Sequence, residues 1–588
     1  MNKRPLLLIT LFFLLLFAAC GTSTSATNTQ AVSAEESNTA DIPGAPLFSK
    51  EGGFYDDAFL LTLSSNPGTS IYYTTDGTDP RTSGTSILYT EGIQIYDNTE
   101  EPNNYSAITG ISLNGYTPPK YNIDKGMHIR AVAKSANGTY GTVVTNSYFI
   151  GKTASYYSDI RVISMVTDAN YLFDPDTGAY MIGSGYYEWK KKNPHQRLSP
   201  GDVANPTNYN SDGRKSEFPV NIQVFENGAV VYSADVGARI SGNWSRANVQ
   251  KSFRFYARSE YGDTKMRYAF INDLLNHKGN ELKKYDKVTL RSGGNDSVLH
   301  FRDAFIHDLA ADTGIDYMAA EPYILFLNGE FWGMYLLREK PESYYIQSHY
   351  GIDESNVSVL KNGGLESGSI RAVGAYVEFC RWASTADMTI EENYRKFCEQ
   401  MDLQSFMDYI AIETYVNNSD WASGYLNNWM VWRSDVVDPK NPKADGKWRY
   451  ILYDLDISCG LHGSADTSYS YDSLGNNWTG SQDYNLPSIL KNLCKNKEFL
   501  DAFYNNYLSI IDSCFAIEKV EALLDEYTSS YKEATVATHK RFGNGQAMLN
   551  YDREAKKLLT FFKNRPDYAK QYLDAFCKRE LPDTASED

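Results

Sequence analysis

The sequence has no cluster of basic residues. Its 73 acidic residues outnumber its 56 lysines and arginines, which gives the 588-residue chain a net charge of −17. An acidic protein repels phosphate backbones and anionic lipid headgroups. Nucleic acid and anionic membrane surfaces are therefore poor candidates as partners. A hydrophobic share of 42% argues against extensive disorder, and the length suits two or three domains.

Familiar catalytic motifs are missing as well. The chain contains no G-x-x-x-x-G-K-[ST], H-E-x-x-H or G-x-S-x-G, and the G-S-G at 183–185 stands alone in a polar stretch. None of the seven cysteines forms a C-x-x-C pair, so a zinc knuckle or a thioredoxin-like motif has no support. The six cysteines after Cys20 are scattered singly, and both disulfides and buried free thiols remain open.

Residues 1–20 have the layout of a bacterial export signal. Lys3 and Arg4 precede an apolar run, and F-A-A-C, which ends at Cys20, resembles a lipoprotein cleavage site. We therefore expect an exported protein, anchored through a lipid on Cys20 to the outer face of the cell membrane or the cell surface. An ordinary cleaved signal and an uncleaved membrane anchor are the alternatives. Beyond Cys20 no apolar run is long enough to span a bilayer.

The next two segments differ sharply in composition. Residues 21–44 are small and polar, which predicts a flexible linker. From 45 to 150, short β-rich runs alternate with turn residues, the pattern of a small β-sandwich of the immunoglobulin or fibronectin III type. The run Y-Y-T-T-D-G-T-D-P at 72–80 resembles the chitobiase C-terminal-like domain. That resemblance implies a spacer or a carbohydrate contact.

Residues 155–580 form a larger α+β region, followed by a short tail at 581–588. The pattern predicts a strand over D-I-R-V-I-S-M-V-T-D, a polar, tyrosine-rich insert at 170–215, and a hairpin after it. Helices such as F-R-D-A-F-I-H-D-L-A then alternate with strands, and 485–580 is mostly amphipathic helix. No repeat of fixed period occurs.

Two carboxylates lie inside the apolar run W-R-Y-I-L-Y-D-L-D-I-S-C-G at 448–460. If this run is a strand, Asp454 and Asp456 share one face. Asp420 follows a predicted helix, and Asn427 and Asn428 open a strand, so a hairpin can bring all five polar groups together. Carboxylate and amide oxygens suit Mg²⁺, and a further acid can deprotonate a hydroxyl. Solvated or arginine-paired acids are the alternative.

The order of several segments resembles the CotH kinase family, named for a bacterial spore-coat protein H. The resemblance rests on A-R-I-S-G-N-W-S-R-A-N-V-Q-K-S-F-R-F, F-R-D-A-F-I-H-D-L-A, Y-I-L-F-L-N-G-E-F-W-G-M-Y-L-L-R-E-K, N-N-W-M-V-W-R, Y-D-L-D-I-S-C-G and F-F-K-N-R-P-D-Y-A-K-Q-Y-L. It implies an atypical protein-kinase-like domain that transfers the ATP γ-phosphoryl group, with Mg²⁺ or Mn²⁺, to Ser or Thr of a surface or matrix protein.

The resemblance also implies roles for the polar residues. Asp420 would act on the acceptor hydroxyl, and Asp454 would be a metal ligand. Asp456 would be a second ligand or a support for the first. Asn428, or Asn427, would complete the metal shell.

Basic residues are implied on the nucleotide side. Lys251 would contact phosphate and pair with Glu339, and Arg246 and Arg302 would contact phosphates too. The alternatives are a solvated strand face for Lys251 and a local ion pair for Glu339.

Several features depart from the family pattern. A-S-G-Y-L lengthens the gap between Asp420 and the two asparagines, one of two expected lysines is missing at 248–251, and the 170–215 insert has no counterpart. A catalytically silent surface adhesin or scaffold, associated with polysaccharide or the cell envelope through the β-sandwich, is therefore the alternative function.

Overall fold

The computed structural model describes residues 42–152, 156–157, 160–422, 426–475, 484 and 486–580. The predicted signal peptide with Cys20, nearly all of the predicted linker and the tail at 581–588 lie outside the described residues. Among the helices that are described, none combines the length and the apolar character needed to cross a bilayer.

The N-terminal region is a two-layered β structure. Strands β2, β9, β8, β5 and β6 form one layer, and β3 pairs with β7 across from it. The strands are β1 (Leu47–Phe48), β2 (Gly53–Tyr55), β3 (Phe59–Leu61), β4 (Leu63–Ser64), β5 (Thr69–Thr74), β6 (Ile87–Leu88), β7 (Ile93–Ile95), β8 (Met127–Ser135) and β9 (Val144–Ile150). Aliphatic side chains such as Leu61, Ile95 and Ile129 fill the space between the layers.

A closed ring of seven strands follows. The strands are β10 (Arg161–Val166), β11 (Phe218–Glu226), β12 (Ala229–Ser241), β13 (Ser252–Tyr256), β14 (Lys287–Arg291), β15 (Ala320–Leu327) and β16 (Glu330–Arg338). Each pairs with the next around the ring in the order β10, β11, β12, β13, β14, β16, β15, and β15 pairs in parallel with β10 to close it. The strand predicted within 159–168 and the hairpin predicted after the insert, formed by β11 and β12, are confirmed.

The two faces of this barrel differ in chemistry because side chains alternate along a strand. Phe253, Leu290 and Leu337 point to the apolar core. On the opposite face the register places Arg254 of β13 beside Thr289 of β14, which in turn lies beside Arg338 of β16. The barrel therefore carries a row of polar and cationic side chains on its outer surface.

Helices and a four-stranded sheet, ordered β18-β17-β19-β20, make up the rest of the chain. The helices are α1 (Asn170–Phe173), α2 (Ser184–Lys192), α3 (Arg302–Ala310), α4 (Ser343–Tyr350), α5 (Arg371–Thr385), α6 (Glu391–Gln400), α7 (Leu403–Tyr415), α8 (Ser419–Ala422), α9 (Leu486–Cys494), α10 (Lys497–Ser509), α11 (Ile517–Arg541) and α12 (Gly545–Glu580); the strands are β17 (Val357–Lys361), β18 (Gly364–Ser367), β19 (Met430–Ser434) and β20 (Arg449–Ile451). The six described cysteines are all unpaired, and five of them are buried.

The predicted strand across 448–460 is wrong beyond its first residues. Strand β20 ends at Ile451, and Asp454 has a φ of 55°, a left-handed conformation that no regular strand contains. The shared strand face predicted for Asp454 and Asp456 therefore does not exist. The hairpin itself is present, since β19 and β20 form an antiparallel pair in which Met430 lies opposite Ile451. Asn428 and Asp454 consequently lie at the same end of it.

The N-terminal region is joined directly to the barrel. Ala229 of β12 pairs with Gly53 of β2, so a single twelve-stranded sheet runs through both parts. The aromatic ring of Phe149 packs against Phe326, with ring centroids 4.6 Å apart. Glu330, which is buried, accepts hydrogen bonds from the backbone N–H groups of residues 104 and 106. These contacts hold the β-sandwich against the barrel.

Candidate functional site

A cavity of about 940 Å³ lies between the polar face of the barrel and the loops that flank β19 and β20. Five acidic residues line it: Asp212, Glu339, Asp420, Asp454 and Asp456. Six basic residues line it as well: Arg246, Arg254, Arg291, Arg338, Lys340 and Lys361. The cavity is large enough for a nucleotide, and it offers both signs of charge to one.

Three carboxylates converge at one end of the cavity. One oxygen each from Asp303, Asp454 and Asp456 lies within 4.8 Å of the others. Asp303 is in the first turn of α3, and its Oδ1 accepts a hydrogen bond of 2.7 Å from the backbone N–H of Leu455. This bond fixes the loop after β20, and so aims the acids on either side of Leu455 toward Asp303.

Arg291 lies between two of these acids. Its Nη2 donates to Asp454 Oδ1 at 2.7 Å and to Asp456 Oδ2 at 2.5 Å. The backbone N–H of Asn295 donates to the same Asp456 oxygen at 2.9 Å. The pKa of Asp456 is raised to about 8, mainly by burial and further by the charges of Asp454 and Asp303, while the charge of Arg291 opposes the rise. The raised pKa shows that Arg291 alone does not offset the negative charge that three ionised carboxylates would bring together.

Asp420 approaches the cluster from α8. Asn428 Nδ2 donates to Asp420 Oδ2 at 2.8 Å, which orients the carboxylate. Burial and the nearby Asp454 charge raise the pKa of Asp420, and the hydrogen bonds from Asn428 and Asn427 oppose that rise. Asn427 also accepts a hydrogen bond from Asn362. Both asparagines are therefore engaged with side chains of the cavity wall.

Cationic groups face the acids from the barrel. Arg254 hydrogen-bonds the hydroxyls of Thr289 and Ser241, and among the described residues it forms no ion pair with a carboxylate. Arg338 Nη1 pairs with Asp303, whereas its buried Nη2 has no hydrogen-bond partner in the described part of the chain. An unpartnered buried guanidinium nitrogen on a cavity wall is suited to bind an anionic ligand.

Residues 238–569, more than half of the chain, match the family model described as CotH kinase protein. The chain belongs to the CotH kinase family. Residues 61–148 match a second model, described as Fn3 associated, and the finer resemblance to the chitobiase C-terminal domain stays a prediction. No curated protein matches the chain. CotH membership suggests an atypical protein kinase, and the barrel followed by helices is compatible with the α+β class expected for it.

Most of the residues that the CotH motifs single out meet in the cavity. Its walls include Arg246, Glu339, Asp420, Asn427, Asn428, Asp454 and Asp456. Arg246, however, is engaged with its own loop, since Nε donates to the carbonyl of Gly242 at 2.7 Å. Its guanidinium reaches Asp212 at 3.5 Å.

Two predicted residues lie elsewhere. Lys251 is fully buried outside the cavity, and its Nζ donates to the backbone carbonyls of Arg246 and Asn248. Burial lowers the pKa of Lys251 well below its usual value, so the predicted phosphate contact does not fit this placement. Arg302 is buried as well, and its Nη1 donates to the carbonyl of Cys459 at 3.0 Å.

The predicted partner of Glu339 is also different. Both carboxylate oxygens of Glu339 lie 3.0 Å from His349 Nε2, and no contact joins Glu339 to Lys251 among the described residues. The proposed lysine–glutamate pair is thus replaced by a glutamate–histidine pair. Lys340, next in sequence, pairs with Glu366 instead.

Sequence reasoning missed Arg291, Asp303 and Arg338 as members of the CotH site. Asp303 carries little local signal, because it lies in a helix whose neighbouring residues Ala304, Phe305 and Ile306 are buried in the core. Arg291 carried a usable signal, because in V-T-L-R it follows the apolar Leu290 and therefore lies on the face opposite the core. In Y-L-L-R the apolar Leu336 has the same parity as Arg338 and obscures the alternation.

Proposed function

We propose that the protein is an exported, lipid-anchored kinase that transfers the γ-phosphoryl group of ATP to Ser or Thr hydroxyls of a surface or matrix protein. The observation that carries the proposal is the cavity, in which Asp420, Asp454 and Asp456 face a row of arginines, with the buried Asp303 adding a third carboxylate to the Asp454–Asp456 pair. Phosphoryl transfer needs little covalent help from a protein and depends on positioning and on charge neutralisation. This arrangement supplies both.

The acid cluster fits a hard divalent cation. Its donors are carboxylate oxygens, which Mg²⁺ and Mn²⁺ prefer, and Asp456 is too buried to be stabilised by water. Asp454, Asp456 and Asp303 would hold the ion. When bound, the ion would neutralise the phosphate oxygens of the nucleotide. Asn428 is assigned to Asp420, with which it already hydrogen-bonds, rather than to the metal shell.

Asp420 would accept the proton of the attacking hydroxyl. The Asn428 amide orients the carboxylate on the cavity wall, where it would meet the acceptor hydroxyl. On the opposite wall, Arg254 and Arg338 would bind phosphate oxygens through guanidinium N–H groups that no described carboxylate occupies. Acceptor and donor would then meet between the two walls.

Export and anchoring belong to the same proposal. The apolar signal-like segment and Cys20 support it. In that compartment ATP would have to be supplied locally, because little of it is present outside a cell. The β-sandwich could contribute a carbohydrate contact, and the partner is a protein substrate at the cell surface.

The decisive test is phosphoryl transfer by the purified protein. We expect incorporation of label from γ-labelled ATP with Mg²⁺ or Mn²⁺, and loss of that incorporation in Asp454→Ala. The matched control is Asp445→Ala, which removes an acid paired with an arginine outside the cavity. No incorporation, together with no nucleotide-dependent shift in melting temperature, would overturn the kinase proposal and favour the silent scaffold. If Asp454→Ala incorporated as much label as Asp445→Ala and the wild type, the role given to Asp454 would be overturned.

A further inference from the structure

Arg291 shares a single nitrogen between two acids of the cluster. Its Nη2 lies 2.7 Å from Asp454 Oδ1 and 2.5 Å from Asp456 Oδ2. The guanidinium therefore sits where the two carboxylates converge. A divalent cation at this place would need the same oxygen lone pairs, so Arg291 and the ion compete for them.

The loop after β14 packs closely against Asp456 and against the Arg291 guanidinium. Gly294 has a φ of 61°, and a Cβ atom there would overlap Asp456 Oδ2 and lie 2.6 Å from Arg291 Nη2. Only glycine leaves room for both side chains at this point. The neighbouring Asn295 N–H adds a second donor to Asp456. The loop thus presents donors to Asp456 without a side chain of its own in the way.

The charges around the cluster are unequal. Three carboxylates face two guanidinium groups, because Arg338 pairs with Asp303 and Arg291 with the other two acids. When all three acids are ionised, as they would be around a divalent cation, one negative charge is left uncompensated by the arginines. If a divalent cation entered and Arg291 stayed, the balance would become positive, so the arginine would be repelled toward any nearby anion.

The cavity beside Arg291 leaves space for its side chain to move. Its side chain is 20% exposed and lines the cavity, whereas Asp456 is 2% exposed and Arg338 is 3% exposed. A rotation of the guanidinium would move it from the acids into the space where the phosphates of a nucleotide would lie. Of the two arginines at the cluster, Arg291 is therefore the one that can be exchanged.

We propose that Arg291 is an internal counter-ion, which holds Asp454 and Asp456 in place until a divalent cation displaces it into the cavity. The proposal rests on the metal site of the proposed function. It assigns Arg291 a positioning role in the metal-free protein, and in the metal-bound protein it directs the released guanidinium toward phosphate.

Metal binding without nucleotide tests the competition. We expect Arg291→Gln to bind Mn²⁺ at least about tenfold more tightly than the wild type by titration calorimetry, because the competing cation is gone. Unchanged affinity would overturn the proposal. So would weaker binding, since a side chain that merely supports metal ligands costs about 10–100-fold when lost. If neither protein bound Mn²⁺, the metal site itself, and with it the proposed function, would fail.

Arg449→Gln is the matched control. Arg449 is also a buried arginine between two aspartates, with Nε 2.9 Å from Asp402 and Nη2 2.8 Å from Asp445, and it does not line the cavity. Its loss should leave Mn²⁺ affinity at the wild-type value. A tighter affinity in this variant would show that the effect of Arg291→Gln is not local, and would overturn the proposal.

A measurement on the wild type covers the case in which Arg291→Gln does not fold. Phenylglyoxal modifies accessible guanidinium groups, and mass spectrometry of the digested protein reports each arginine separately. We expect Mn²⁺ to increase modification of Arg291 severalfold and to leave Arg449 unchanged. Unchanged or reduced modification of Arg291 in a protein that binds Mn²⁺ would overturn the displacement.

Discussion

Arg291 and Arg449 each lie between two aspartates, yet their surroundings differ. Arg291 offers one nitrogen to Asp454 and Asp456 together. Arg449 uses separate nitrogens, with Nε on Asp402 and both terminal nitrogens on Asp445 in a bidentate pair. The first arrangement brings the carboxylates together, and the second keeps them apart.

The pKa values of the acids follow this geometry. At Asp445, burial opposes ionisation, but the hydrogen bonds from Arg449 and from the Lys447 N–H outweigh it and lower the pKa. At Asp456, burial and two neighbouring acids together outweigh Arg291, and the pKa rises to about 8. An arginine alone satisfies the first pair and leaves the second short of positive charge.

The lesson is that an arginine–carboxylate contact by itself does not distinguish a structural ion pair from a binding site. What distinguishes the two is whether the oxygens converge on a common point beside a cavity. Asp303 decides the matter here, because it adds a third carboxylate to the Arg291 pair, whereas the Arg449 pair belongs to no such cluster within the described residues.

The largest expected difference between the Arg291 cluster and the Arg449 pair is in the kcat of phosphoryl transfer. Asp420→Asn should lower the kcat of phosphoryl transfer by about 10²–10⁴-fold, because the amide cannot take the acceptor proton. Mn²⁺ affinity should change little. Asp402→Asn, in the Arg449 pair, should leave kcat near the wild-type value. Equal losses in the two variants would erase the distinction between site and structural pair.

Stability provides the next contrast. Arg449→Gln should destabilise the protein by about 1–2 kcal/mol, since it leaves two partly exposed acids without their cation. Added Mn²⁺ should not restore the melting temperature. Arg291→Gln should also lower the melting temperature in the absence of metal, but Mn²⁺ should restore much of the lost melting temperature. Thermal unfolding measures this contrast. If Mn²⁺ restored the melting temperature of both variants, or of neither, the distinction between the Arg291 cluster and the Arg449 pair would be contradicted.

Two glycines sharpen the comparison further. Gly294→Ala should weaken Mn²⁺ binding by about tenfold, because its Cβ would push Asp456 away from the cluster. Gly446→Ala introduces the same kind of strain beside Asp445, since Gly446 has a φ of 80°, but its Cβ would meet only a Val437 methyl at 3.5 Å. Calorimetry should therefore show a change in metal affinity in the first variant alone.

The smallest effect is a pH dependence at Arg449. The pKa of Asp445 is lower in the folded protein than its ordinary value of 3.8, so its ion pair stabilises the fold above that pH. The contribution is lost as the pH falls through the lowered value. The difference in melting temperature between the wild type and Arg449→Gln should therefore stay constant above about pH 5 and shrink as the pH falls below 3.8. A difference that stayed constant down to the lowest pH would contradict the assignment of the stabilisation to this pair.

Family motifs in the sequence predicted much of the site. Asp420, Asn428, Asp454 and Asp456 do meet in one cavity, although the strand that was expected to align the last two ends at Ile451. The acids converge because a left-handed residue turns the loop and because Asp303 binds the Leu455 N–H. Neither a left-handed turn nor a contact across 152 residues is visible in local periodicity.

Lys251 shows how a motif can mislead when alternation is ignored. In K-S-F-R-F the lysine has the same parity as Phe253 and Phe255, which face the core. Its Nζ lies 3.9 Å from the centre of the Tyr209 ring, among buried aromatic residues. Arg254 has the opposite parity and reaches the cavity. Period-two reasoning would have favoured the arginine over the lysine.

The closed ring of strands begins before the region that the CotH family model matches, so the folding unit is larger than that region. The match begins at residue 238, whereas β10, β11 and most of β12 precede it. A fragment cut there would open the barrel and expose its strand edges to pairing with other chains.

A fragment cut at 155 would keep the ring but lose the partners of Phe326 and the two N–H donors of buried Glu330. The contacts between the N-terminal β-sandwich and the barrel therefore predict that the two parts are stable only when they are expressed together.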